Sequence, residues 1–79
     1  MSNNTKALEH TERITGTPEF QRAYEIHGQH YEGLPVTPQD QEFYIKYLTD
    51  LAQELRKLSE TGEAPFSLTV WIMYAVKYT

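Results

Sequence analysis

From Tyr44 to Leu58, large apolar side chains recur at spacings of four, three, four and three (Tyr44, Leu48, Leu51, Leu55, Leu58), and this run constrains the chain more than any other feature. Such spacing puts all five side chains on one side of an α-helix. Thr37-Pro38 supply the start: a threonine oxygen accepts orphan N–H bonds, proline is tolerated at the first helical position, and Asp40 adds the acid of a capping arrangement. Thr61-Gly62 supply the stop, with glycine suited to the left-handed position. A helix over about 38–61 is therefore expected.

The same start signal stands at Thr17-Pro18-Glu19. Behind it Phe20, Ala23, Tyr24, His27 and Tyr31 share one helical face, so a helix over about 18–31 is expected, weakened at Gly28 and broken by Gly33-Leu34-Pro35. Before it, residues 1–16 carry only Leu8 and Ile14 as large apolar anchors and read as a flexible arm or a short helix from about Asn4 to Arg13.

Residues 66–79 fit two patterns. Phe66, Leu68, Val70, Ile72, Tyr74, Val76 and Tyr78 alternate as in a strand, while Leu68, Trp71, Ile72, Ala75 and Thr79 mark a helical face behind Pro65. A lone strand has no partner elsewhere in the chain. The expectation is an all-α fold, a three-helix domain over 17–79 with its third helix at about 66–78. The alternative is a C-terminal strand that pairs across an oligomer.

With 79 residues there is room for one core, and with no cysteine there is neither disulfide, thiolate zinc site nor thiol nucleophile. A reducing, cytoplasmic setting is expected, because Met1 to Ile14 has no apolar signal core. The longest apolar run, interrupted by Thr69 and Lys77, is too short for a membrane span. The formal charge of −4 disfavours direct nucleic-acid binding. A helix-turn-helix reading of 38–78 would put Val70, Trp71, Met73 and Tyr74 where Arg, Asn or Gln are needed. The charge is uneven: Glu19, Glu25, Glu32, Asp40 and Glu42 stand against Arg22 alone. If these carboxylates share one face, they offer an acidic surface of the kind that mimics nucleic acid; otherwise they are a solvated surface.

Catalysis is not expected. Ser2, Ser59 and Ser67 lie in arm, helix-end and cap contexts, and no phosphate-cradling glycine loop is present. His27, His30 and Glu32, with His10 and Glu9, are the one concentration of metal-capable groups. Their spacing matches no metalloprotease pattern, so His27 is read as a half-buried face residue and His30 as a surface residue at a helix end, with no metal or cofactor. Excess apolar surface is the remaining signal. Around the 38–61 helix the apolar arc spans roughly 200°, about twice what one-sided packing needs, and the last segment is apolar all round. Phe43, Tyr47, Trp71, Tyr74 and Tyr78 are the expected contacts to a protein partner. The expected function is a small inhibitor or adaptor that also self-associates, or a subunit of a structural homo-oligomer.

Overall fold

The computed structural model describes residues 2–79, with side chains from Thr5 onward. It is all-α: α1 (Ser2–Thr15), α2 (Pro18–Tyr31), α3 (Pro38–Glu60) and α4 (Phe66–Ala75), followed by a 3-10 turn over Val76–Tyr78. Among the described residues there is no strand, which removes the alternative reading of 66–79.

The start signals act as local chemistry requires. Thr17 Oγ1 accepts from the Phe20 amide at 3.2 Å, and Thr37 Oγ1 accepts from the Asp40 amide at 3.1 Å. The Asp40 carboxylate does not fold back onto the cap; it reaches across to Arg22. Both stops are glycines at positive φ, Gly33 at 76° and Gly62 at 75°. After each, two amides turn back onto the last helical carbonyls: Gly33 to His30 and Leu34 to Gln29, then Gly62 to Ser59 and Glu63 to Leu58. Gly28 does not end α2, since the helix runs on to Tyr31.

The segment expected as an arm is a helix, longer than the 4–13 span read from the sequence. Its last turn is tied to the body. Ile14 is 5 % exposed and belongs to the core, Arg13 meets Glu54 at 2.6 Å, and His10 Nε2 meets Glu63 at 3.1 Å. Because the Arg13 guanidinium donates to His10 Nδ1, that imidazole carries its hydrogen on Nε2 and donates it to Glu63. Thr17 joins the two helices, for its hydroxyl donates to the Ile14 carbonyl at 2.9 Å while accepting the first bond of α2. Gly16 is needed at the joint, because a Cβ there would lie 2.9 Å from the Glu12 carbonyl oxygen.

α3 is the spine. At about 1.5 Å per residue its length is roughly 35 Å, and the whole molecule measures 43 × 20 × 18 Å. Arg13–Glu54 and His10–Glu63 lay α1 beside the C-terminal half of α3, and His30–Gln41 lays the end of α2 beside its N-terminal turn. α1 and α2 therefore run head to tail along the spine, both antiparallel to it. α4 packs against both α3 and α2, with Trp71 meeting Phe20 and Tyr24 of α2. Tyr44, Leu48, Leu51 and Leu55 from α3 close the core with Ile14, Phe20, Ala23, Ile26, Leu68, Ile72 and Ala75. The buried Tyr44 hydroxyl donates to the Ala75 carbonyl at 2.8 Å and so fastens the end of α4 to the spine.

Candidate interaction surface

α4 contains no charged residue, and its helical geometry sorts its apolar side chains into two opposite sets. Leu68, Ile72 and Ala75 point into the core. At about 100° per residue, Phe66, Val70 and Met73 lie on the reverse side, and Lys77 of the following 3-10 turn continues their line. Phe66 is 81 % exposed and Met73 64 %. Tyr74, 57 % exposed, leans toward α2, and the exposed Val76 leans toward Ile45, Thr49 and Ala52 of α3. A helix with one apolar set buried and a second in solvent is an exception among soluble proteins, where large contiguous apolar patches mark contact sites.

Between α4 and α2 runs a file of rings. Trp71 lies 5.2 Å from Phe20, 6.1 Å from Tyr24 in a stacked arrangement and 5.5 Å from His27, measured between centroids. Tyr78 follows, edge to face with His27 at 5.6 Å and stacked on His30 at 5.1 Å. His30 also donates through Nε2 to Gln41, whose amide donates to the Tyr78 carbonyl at 2.7 Å, so the 3-10 turn is held from both faces. Burial among these rings, with the nearby His30 charge second, lowers the His27 pKa. At the end of the file a cleft of about 320 Å³ opens, lined by His27, Tyr31, Tyr74, Lys77 and Tyr78. Tyr31 is 76 % exposed at its mouth, and Lys77 Nζ sits 5.1 Å above the Tyr74 ring.

The five residues expected to make partner contacts do not form one surface. Phe43 and Tyr47 stack on each other at 5.9 Å and pack half-buried against the core. Tyr47 lines a separate cleft of about 300 Å³ with Arg13, Ile14, Glu19, Asp50 and Glu54, and burial there raises its pKa. Trp71 is a packing residue whose indole N–H is buried without a partner. Tyr78 is clamped by the two imidazoles, and of the five only Tyr74 stands freely in solvent. Among the described residues Phe66, Tyr31 and Met73 are the most exposed large apolar side chains instead. The signal for Phe66 and Met73 was their position opposite Leu68 and Ile72, which becomes decisive once the segment is known to be a helix.

The acidic residues are also divided. Arg22 bridges Glu25 at 3.0 Å and Asp40 at 2.5 Å, placing a cation inside the stretch. Glu19 stands about 120° around α2 from Glu25 and lines the Tyr47 cleft, while Glu32 caps the far end of α2 and Glu42 is exposed on α3. His27 and His30 serve as ring partners, and no group of three metal-capable side chains converges among the described residues. None of the described helices is long and apolar enough to cross a membrane. Compared with known protein families, curated proteins and solved structures, the chain matches none.

Proposed function

We propose that this chain is a small protein-binding regulator, an inhibitor or adaptor without catalytic activity, that docks through the outer face of α4. The observation that carries this reading is the uncharged apolar strip of exposed Phe66, Met73 and Tyr74, with half-buried Val70 between them, on the side of α4 turned away from the core. Leaving such side chains in water forgoes about 25 cal/mol for each Å² that a partner would cover, a standing incentive to bind. Aromatic residues and methionine are also the types enriched at interface centres. The imidazoles favour a non-enzymatic reading because they are engaged in ring packing and hydrogen bonds. The Ser59 hydroxyl donates to the Arg56 carbonyl of its own helix. The absence of cysteine and the acidic balance favour a cytoplasmic setting and a protein rather than a nucleic-acid partner.

Photo-crosslinking tests the surface. A benzophenone amino acid at Met73 is expected to yield covalent adducts in the producing cell, whereas the same group at exposed Lys57 on α3 is not. Equal labelling at both positions, or none at Met73, would reject α4 as the working face.

A further inference from the structure

The outer face of α4 has a geometry that fits itself. Phe66, Val70 and Met73 of α4 and Lys77 of the 3-10 turn that extends it recur at the four-three-four seam spacing of a coiled coil, and the set is symmetric about a point midway between Trp71 and Ile72. Turning a second α4 antiparallel about that point sets Val70 against Met73 and Phe66 against Lys77, twice over. We propose that the occupant of this face is a second copy of the same chain in this antiparallel register, with Phe66 of each protomer entering the tyrosine-lined cleft of the other. The proposal rests on the α4 docking reading and makes the second copy the resting occupant, which a regulated protein displaces.

Three observations support this occupant. The cleft lined by His27, Tyr31, Tyr74, Lys77 and Tyr78 lies at the level of Lys77, where the register delivers Phe66, the most exposed of the large apolar side chains. The ring would arrive beside the Lys77 ammonium, already seated over Tyr74, and extend that cation–π contact. Charge selects the direction: a parallel pair would oppose Lys77 to Lys77 and leave both clefts empty, while the antiparallel pair keeps the two lysines at opposite ends. The area also fits a weak dimer. With Phe66, Met73, Tyr74 and Tyr31 exposed by 81, 64, 57 and 76 % and roughly 200 Å² for each such side chain, these four offer on the order of 550 Å² per protomer. Tyr24 and the Lys77 stem extend this area on the α2 side, which puts the interface below the ~800 Å² per partner of the standard size and in the weak class.

Sedimentation equilibrium on the full chain tests the proposal. The mass is expected to rise from 9.2 kDa toward twice that value between about 10 µM and 1 mM, the weak range for an interface of this size. Phe66→Lys and Met73→Asp should each weaken association at least tenfold with helicity unchanged, because both side chains lie in solvent in the single chain. Phe66→Lys combined with Lys77→Glu should restore association, since each new lysine then faces a glutamate of the other copy. A wild-type chain that stays at 9.2 kDa throughout overturns the proposal. So does a dimer indifferent to Phe66→Lys, and a dimer broken by Phe66→Lys that Lys77→Glu does not rescue overturns the register. If the chain is monomeric while Met73 still crosslinks to a different protein, the docking reading stands and only self-association falls; if neither occurs, both fall.

Discussion

Tyr44 shows how one hydroxyl joins two distant segments. It is fully buried, its ring packs against His30 at 5.3 Å, and its O–H is the donor that the Ala75 carbonyl receives. Tyr44→Phe should cost about 1–2 kcal/mol in urea unfolding, the cost of a buried carbonyl left unpaired. The same burial raises the Tyr44 pKa to about 12. The unfolded phenol loses its proton near pH 10 and the folded one does not, so this stability is fully present below about pH 10 and is lost as pH rises toward 12. The wild type should therefore lose more stability than Tyr44→Phe between pH 9 and pH 11. His27 has the opposite sign. Its pKa is lowered, so the unfolded chain takes up a proton before the folded chain does, and stability falls as pH drops below about 6.5. Replacing it by Gln should shrink the drop in Tm between pH 7.5 and pH 5.5, as read by thermal melts at both values.

At the level of the helix, the glycines separate by role. Gly33 sits at φ 76°, where a Cβ is strained, while a Cβ at Gly28, inside α2, would meet nothing within 4 Å. Gly33→Ala should destabilise by about 1 kcal/mol and Gly28→Ala should stabilise by about 0.5–1 kcal/mol, measured side by side in urea. The bounds of α2 and α3 were legible in the sequence because every bond that sets them is local: Thr17 with Phe20, Thr37 with Asp40, each terminal glycine with the carbonyl three residues back, and the residue after it with the carbonyl five back. α1 was less legible. Its hold on the molecule comes from Ile14 and from contacts to Glu54 and Glu63, far along the chain. The surface residues divided on the same principle. Trp71 reads as an exposed contact in isolation, and what covers it, Phe20, Tyr24 and His27, belongs to a helix that precedes it by some fifty residues. Phe66 and Met73 emerged as the outer set only when burial of Leu68 and Ile72 fixed which way α4 faces.

For the molecule as a whole, the small number of helices explains why a chain of this size has apolar surface left over. α3 packs against α2 and α4, which also meet each other through Trp71, while α1 continues the line of α2, so α4 has neighbours on its inner side only. Among the described residues no further helix lies behind it. α1 contributes to the shared core mainly through one side chain, and Ile14→Ala should cost about 2–4 kcal/mol in urea unfolding, a large share of the total for a domain this small. The Thr17 hydroxyl has a consequence for motion. Because it holds the last turn of α1 and the first turn of α2 at once, neither end can fray without releasing the other. Their amides should exchange with solvent as one cooperative unit, the two helices behaving as a single hinged rod whose pivot is locked by one oxygen.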